Sequence, residues 1–205
     1  MTDPTEAREQ HPLRRYSNAA ATFHWVTAAF VLFQLWLGFS FANMDQGPER
    51  ADLFTWHRTI GALILLIVLA RLTYRLTNPP PPYPPQLPRW ERLAGTWNHR
   101  LFYLLLIAMP IVGLVAVSGG MPGHTVSLLG GVEIPKIPGI SKGFGEAAGE
   151  FHELAAFLLC ALIVVHVAAA LKHQFIDHNR AAGRMPPFQD PIDEPVVVGQ
   201  GGDAS

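Results

Sequence analysis

The sequence predicts an all-α integral membrane protein, a four-helix bundle with both termini in the cytoplasm. Of its 205 residues, 49% are hydrophobic and 15% are charged, against about 25% charged in an average soluble domain. Four apolar runs are each long enough to span a bilayer, which takes about 20 residues. They cover approximately residues 19–42, 53–76, 97–117 and 147–171. Four such runs leave too little polar chain to bury them inside a soluble protein.

Lysine and arginine residues are distributed unevenly between the two predicted sides of the membrane. Eleven of the 15 lie before the first run, around the link between the second and third runs, or after the fourth run. Because loops rich in basic residues stay in the cytoplasm, this asymmetry predicts cytoplasmic termini and a cytoplasmic second link. The net charge of −1 gives no indication of nucleic-acid binding, and we expect no nucleic-acid partner.

The segments outside the four runs are rich in proline and glycine. The second link contains the sequence PPPPYPP at residues 79–85, which is typical of a stiff polyproline spacer. We expect a short interfacial segment around residues 126–129, within the link at about residues 118–146. Residues 1–185 are then one transmembrane domain. Residues 186–205 form a glycine- and acid-containing tail that is expected to be disordered.

Five of the nine histidines fall within or at the ends of the apolar runs: His24, His57, His99, His152 and His166. Ionisable residues at membrane depth are costly and are candidates for function. His24 lies about five residues inside the start of the first run, and His166 lies about as far before the end of the fourth. His57 and His152 lie at matching depths near the opposite face. The topology therefore yields two pairs, one near each membrane face, although a single such histidine often only bonds a neighbouring helix.

The fourth run can present an imidazole to the bundle interior at two levels. His152 and His166 are 14 residues apart, which returns to within roughly 40° of the same helix face about 21 Å along the axis. Facing helices build cofactor sites in bundle cores, and imidazole binds haem iron well. A closed zinc site would need four ligands at one point, which two separated pairs do not provide. Three glycines would let a flat macrocycle approach the helix backbone: Gly38, Gly61 and Gly113. Glycine is common in transmembrane helices, so these residues alone do not indicate haem.

Two arginines and two further histidines lie toward the predicted cytoplasmic side. Arg71 is deep in the second run, where it can hold a haem propionate or a quinone head group, or extend to lipid phosphates. Arg75 follows on the same face, and extension to lipid is favoured for it. His99 and His173 lie at the interface, where each can contact a propionate or relay protons to a quinone. The other histidines are expected at the surface: His11, His124 and His178.

Short motifs surround these residues in all four runs. In chain order they are Thr22–Trp25, Trp56–Gly61, Ala70–Leu72 with Arg75, Asn98–Tyr103, Pro110–Leu114, Phe151–Glu153 and His166–His173. Each motif alone is weak, but the ordered set resembles the bacterial cytochrome b561 family over roughly residues 15–180. The resemblance implies a protein of the bacterial inner membrane with two b-type haems. It places one haem between His24 and His166 and the other between His57 and His152, as the depths do.

The same resemblance implies electron exchange with the quinone pool. One branch of the family oxidises superoxide at the outer face and reduces ubiquinone, which would make this chain a quinone-linked oxidoreductase. Related membrane cytochromes serve instead as non-catalytic anchors or relays for soluble redox enzymes such as hydrogenases and dehydrogenases. The sequence leaves open which of these roles applies, and therefore whether the chain is itself an enzyme. A third and less favoured hypothesis is that the chain is a transporter or a structural membrane protein without haem.

The predicted outer face gives little support to superoxide as the substrate. A positive funnel would steer an anion toward this face. Its basic residues are Arg50, Arg58, Lys136 and Lys142. The acidic residues outnumber them: Asp45, Glu49, Asp52, Glu133, Glu146, Glu150 and Glu153. An anionic donor would therefore depend on the basic residues being clustered near the haem edge.

Overall fold

Four long helices make up most of the described chain. A computed structural model describes residues 16–83, 87–177 and 185. The helices are α1 Asn18–Ala42, α2 Pro48–Thr77, α3 Arg89–Gly120 and α4 Lys142–Phe175. Each contains a stretch long and apolar enough to cross a membrane. The predicted all-α bundle of four membrane-crossing helices is confirmed, while the predicted tail, residues 186–205, lies outside the described residues.

Three of the helices begin earlier in the chain than hydropathy predicts. Helix α2 begins at Pro48, whose missing N–H has no role in the first turn. Helix α4 begins at Lys142, because the Ser141 hydroxyl accepts a hydrogen bond from the Phe144 N–H at 3.3 Å. Helix α3 begins at Arg89, directly after Pro88. Hydropathy marks only the apolar part of each helix, whereas prolines and capping side chains determine where the helix begins.

The helices alternate in direction, so the bundle has two ends. Helix α1 packs along α2, α2 along α3, and α3 along α4. At one end Ser17 Oγ lies 2.8 Å from Tyr74 Oη, joining the start of α1 to the end of α2. We call this end, which also carries Pro79–Tyr83, the proline face. The opposite end, where α1 and α3 end and α2 and α4 begin, is called the hairpin face.

A small β-hairpin lies between α3 and α4 on the hairpin face. Strand β1 (Thr125–Ser127) pairs antiparallel with β2 (Glu133–Pro135), and a 3-10 turn at Leu129–Gly131 connects them. The Leu129 N–H donates to Thr59 Oγ1 of α2 at 3.0 Å. The interfacial segment expected around residues 126–129 is thus part of a hairpin attached to α2.

Apolar side chains occupy both the interior and the outer surface of the bundle. The core contains Val31, Leu37, Ile60, Ile64, Val68, Leu105, Leu106, Ala155 and Leu159. Large apolar side chains that are more than half exposed occur on every helix, for example Trp36, Leu66, Leu104 and Val164. An apolar surface of this extent is unsuited to water and matches the acyl chains of a bilayer.

Helices α3 and α4 approach most closely at two glycines near the hairpin face. A Cβ atom built on Gly145 would lie 2.8 Å from Gly119 Cα and 3.0 Å from the Ala116 carbonyl oxygen. These are backbone atoms, which cannot rotate away. Such close backbone contact through small residues is how transmembrane helices associate.

We expect Gly145→Ala to destabilise the bundle by about 1–3 kcal/mol, the usual effect of overpacking. The measurement is thermal unfolding of the purified protein in detergent. Gly143→Ala is the matched control, because nothing lies within 4 Å of a Cβ at Gly143 in the same helix turn. Alanine is the better helix former by up to about 1 kcal/mol, so this control should be neutral or stabilising. Equal losses of stability in both variants would contradict the close approach.

Candidate cofactor sites

Two histidines face each other across the interior near the hairpin face. His57 of α2 and His152 of α4 have ring centroids 6.0 Å apart. A metal ion bonded at about 2 Å to one nitrogen of each ring would hold the two nitrogens about 4 Å apart. The ring centroids lie farther out than the nitrogens, so a separation of 6.0 Å suits one metal ion between the rings.

Both of these imidazoles rest against a glycine on the neighbouring helix. A Cβ atom on Gly38 would lie 3.3 Å from His57 Cε1, and one on Gly113 would lie 3.3 Å from His152 Cε1. The distances to the two Nδ1 atoms are likewise equal, at 3.5 Å. Two unrelated helix pairs thus position their histidines in the same way. The absence of a side chain at Gly38 and Gly113 is what allows each ring to reach the interior.

The two rings differ in whether the nitrogen beside the neighbouring helix has a hydrogen-bond acceptor. His152 Nδ1 donates to the Met109 carbonyl at 3.1 Å, and a carbonyl can only accept. A neutral His152 ring therefore carries its proton on Nδ1 and has a free lone pair on Nε2, as metal-binding histidines do. The corresponding atom of the first ring, His57 Nδ1, is buried and has no hydrogen-bond partner among the described residues.

Gln34 is a polar residue of this site that the sequence analysis did not identify. Its side-chain Nε2 donates to the backbone carbonyl of His57 at 2.9 Å. The approach depends on Gly61, where a Cβ atom would lie 3.2 Å from Gln34 Nε2. In the sequence, Gln34 is recognisable only as the one amide side chain within the apolar run at residues 19–42. Gln34 therefore fixes the position of α1 relative to the histidine-bearing turn of α2.

The second pair of histidines lies toward the proline face. His24 of α1 and His166 of α4 have ring centroids 6.2 Å apart, nearly the same separation as in the first pair. The rings of His99 and Phe102, both on α3, pack edge-on against His166 at 5.5 and 5.4 Å. Residues from three helices thus surround the second pair.

An arginine is in direct contact with this pair. Arg71 Nη2 lies 3.1 Å from His24 Nδ1. Because a guanidinium group only donates, Nδ1 must be the acceptor in this contact. A neutral ring bound to metal through Nε2 carries its proton on Nδ1, so metal binding would release Arg71 toward another acceptor. Arg71 is held nearby in any case, since its guanidinium lies 5.7 Å from the centre of the Tyr103 ring.

A cavity of about 220 Å³ opens beside the second pair on the proline face. Its lining residues are Tyr16, Arg75, Pro80, Pro81, Pro82, Tyr83, Thr96 and His99. The proline-rich link therefore forms one wall of this cavity, and Thr96 and His99 of α3 form another part of it. His99 Nδ1 bonds to the Gly95 carbonyl at 2.6 Å, which orients the ring within the cavity wall.

The remaining candidate residues lie elsewhere. His173 Nδ1 contacts Asp177 at 2.9 Å, at the end of α4. Among the basic residues of the hairpin face, Lys142 pairs with Glu146 at 3.6 Å, and Arg50 donates to the Phe41 carbonyl. Lys136 donates to backbone carbonyls of the α3–α4 link. Two basic residues nevertheless lie near the first pair: the guanidinium of Arg50 is 5.8 Å from the Phe41 ring centre, and that of Arg58 is 4.8 Å from the Phe54 ring centre. The Phe41 ring packs against both Phe54 and His57.

Comparison with known proteins identifies the family. Residues 15–187 match the family described as prokaryotic cytochrome b561. The chain belongs to the prokaryotic cytochrome b561 family. This confirms the resemblance seen in the sequence motifs. Membership makes the chain a membrane electron-transfer protein of the bacterial inner membrane and implies b-type haem.

The matches between this cytochrome and several relatives extend over nearly the full length of each relative. Cytochrome b561 homolog 2 of Escherichia coli K12 is 31% identical over 179 residues, which cover 83% of this chain and 90% of the relative. "Probable superoxide oxidase CybB" of Yersinia pestis is 25% identical, covering 85% and 97%. Cytochrome b562 of Cereibacter sphaeroides is 27% identical, covering 83% and 94%. The similarity to the cytochrome b561 family therefore extends over the whole four-helix bundle.

Proposed function

We propose that this cytochrome carries electrons across the bilayer between a one-electron donor at the hairpin face and a quinone at the proline face. Two b-type haems would be held by His57 with His152 and by His24 with His166. The observation that carries the proposal is the presence of two facing histidine pairs, with ring centroids 6.0 and 6.2 Å apart. They lie toward opposite ends of the bundle and share α4, as a conductor spanning the membrane requires.

The residues present fit two haems. Both centroid separations suit an iron ion between two imidazole nitrogens, and the Met109 carbonyl selects the ligand form of His152. Gly38 and Gly113 keep the backbone clear of the rings at the hairpin face. Haem supplies reversible one-electron chemistry at iron, with a potential that depends on its axial ligands and surroundings. The chain contributes the ligands, their orientation and the apolar interior.

The distribution of basic residues supports a cytoplasmic proline face. Arg71, Arg75, Arg89, Arg92 and Arg100 all lie toward this end of the bundle, and basic residues favour the cytoplasmic side. Electrons from an outer donor would then leave the protein near the cytoplasm. A quinone reduced there would take up its protons from the cytoplasmic side.

The cavity on the proline face is the proposed quinone site. It lies beside the His24–His166 pair through His99, whose ring packs on His166. Arg75 and Tyr16 offer hydrogen-bond donors to a quinone oxygen, and the prolines provide apolar contacts for its ring. Arg71 does not line this cavity, so once released from His24 Nδ1 it would be available to a haem propionate rather than to the quinone. His173, which lies beside Asp177, has no assigned part in this site.

Filling the cavity should slow quinone chemistry without removing haem. Thr96→Phe places a ring among the lining residues, and we expect quinol-driven haem reduction to slow by roughly tenfold or more, since a shift of about 1 Å can cost up to 100-fold. The measurement is stopped-flow absorbance with a soluble quinol. Thr77→Phe is the matched control, because Thr77 is exposed on the same face and does not line the cavity. Unchanged kinetics in Thr96→Phe would place the quinone elsewhere.

The identity of the donor is tested separately. One relative is named a probable superoxide oxidase. Arg50 and Arg58 lie over the aromatic rings beside His57, whereas Lys136 and Lys142 are held by other partners. We therefore propose a small one-electron donor without committing to an anion. Turnover by the purified protein with quinone and superoxide would assign the oxidase activity. Co-purification with a soluble redox subunit and no turnover alone would assign the anchor or relay role instead.

The decisive measurement for the cofactors is a reduced-minus-oxidised spectrum with haem quantification. We expect about two low-spin b-type haems per chain, because each of the two pairs supplies both axial ligands. A chain that stays colourless when haem is plentiful would overturn the proposed function.

A further inference from the structure

A second group of metal-ligand side chains lies on the proline face, where α3 begins and α4 ends. One ligand atom from each of Glu91, His173 and Asp177 lies within 4.8 Å of the other two. Lys172 Nζ lies 3.1 Å from Glu91 Oε1 and 2.7 Å from Asp177 Oδ2. His173 Nδ1 lies 2.9 Å from the same Asp177 oxygen. None of these residues belongs to the two histidine pairs.

The buried carboxylate of Glu91 is only partly satisfied by its contact with Lys172. Its side chain is only 9% exposed. Its second oxygen, Oε2, is buried and has no hydrogen-bond partner among the described residues. A buried carboxylate oxygen without a donor is costly, since ionised groups lose more on burial than neutral ones. The burial of Glu91 is therefore explained if a further cation or donor binds there.

The charges of the group leave room for such a cation. Glu91 and Asp177 bring two negative charges to this group, and Lys172 brings one positive charge. The Lys172 side chain is 45% exposed and flexible, so its ammonium can move into water.

We propose that Glu91, His173 and Asp177 bind a divalent transition-metal ion of the zinc type, which displaces the Lys172 ammonium. Carboxylate oxygen and imidazole nitrogen are zinc ligands, and three protein ligands leave the fourth position for water. Calcium needs six to eight oxygen ligands, which this group does not supply. Tetrahedral zinc holds its ligand atoms about 3.4 Å apart. The three ligand atoms already lie within 4.8 Å of one another, so small side-chain movements would suffice for binding.

The bound ion would join the start of α3 to the end of α4. Glu91 lies two turns before His99 on α3, and His173 lies two turns after His166 on α4. The site would therefore hold together the helix ends that flank the second histidine pair. This inference does not depend on haem or quinone binding, and its test does not measure electron transfer.

The test uses the full-length, haem-containing protein in detergent, without an affinity tag and stripped of metal by chelation. Equilibrium dialysis against micromolar Zn²⁺, with zinc measured by mass spectrometry, is expected to give one tightly bound ion per chain. His173→Ala and Asp177→Asn should each weaken binding by at least tenfold. His124→Ala removes an exposed histidine on the hairpin face and should leave binding unchanged. An unchanged haem spectrum shows that each variant is folded.

Lys172→Met distinguishes a metal site from a purely internal ion network. It removes the competing ammonium, so zinc should bind more tightly than in the wild type, and added zinc should raise the thermal unfolding temperature. Two results would overturn the proposal. One is wild-type binding no tighter than that of the variant carrying both His173→Ala and Asp177→Asn. The other is Lys172→Met binding zinc no better than the wild type.

Discussion

Replacing His57 or His152 with alanine is expected to remove one haem and leave the other in place. The two rings face each other at 6.0 Å and have no replacement ligand among their described ring contacts. Loss of either ring leaves a single axial ligand, which should release the haem or convert it to a high-spin form. Haem quantification should fall from about two per chain to about one, with a low-spin spectrum retained by the remaining haem.

The reciprocal experiment uses His24 and His166. Alanine at either position should remove the other haem, because this pair would then keep only one of its two facing rings. His124→Ala, an exposed histidine on the hairpin face, should retain both haems. Redox titration tells which haem is lost, since the two sites differ in surroundings. If His57→Ala and His24→Ala abolished the same redox component, the proposed pairing would be wrong.

The second large effect is expected from the glycines that contact the histidines. Gly38→Val and Gly113→Val should each strongly reduce haem binding near the hairpin face. A Cβ atom at either position already lies 3.3 Å from an imidazole carbon, and valine adds two methyl groups beyond it. The ring must then move or rotate, at an overpacking cost of about 1–3 kcal/mol. Haem content and the midpoint potential of the remaining haem measure the result.

Position-matched controls separate this contact from a general effect of valine in a helix. Gly120→Val lies at the end of the same helix as Gly113, where nothing would lie within 4 Å of a Cβ atom. It should keep both haems. The haem bound between His24 and His166 should also survive in Gly38→Val. Normal haem content in both Gly38→Val and Gly113→Val would show that the rings adjust freely and that the glycines are incidental.

The parts of the fold that hydropathy controls were predictable from the sequence. Four apolar runs gave four helices, because a membrane span needs about 20 such residues. The depth of each histidine then followed from a rise of about 1.5 Å per residue, and the structure brings His24 to His166 and His57 to His152. Their role as haem ligands stays a prediction.

Features that depend on tertiary contact were not predictable in this way. Helix α4 begins five residues earlier than expected because of the Ser141 cap, and the hairpin arises from pairing between β1 and β2. Gln34 is not part of a recognisable sequence motif, because its role depends on its contact with Gly61 of the facing helix. The depth of His173 predicts a contact with a haem propionate or a quinone, whereas the described contact of its Nδ1 atom is with Asp177. Rotation about α4 and the path of the chain beyond it decide such contacts.

Helix α4 carries one histidine of each pair, fourteen residues apart, and contains no proline that would bend it. A straight helix keeps these two imidazoles about 21 Å apart and at a constant relative rotation. If each pair holds a haem, the two cofactors would therefore keep a fixed separation. The rate of electron exchange between them should then be insensitive to bending motions of the bundle.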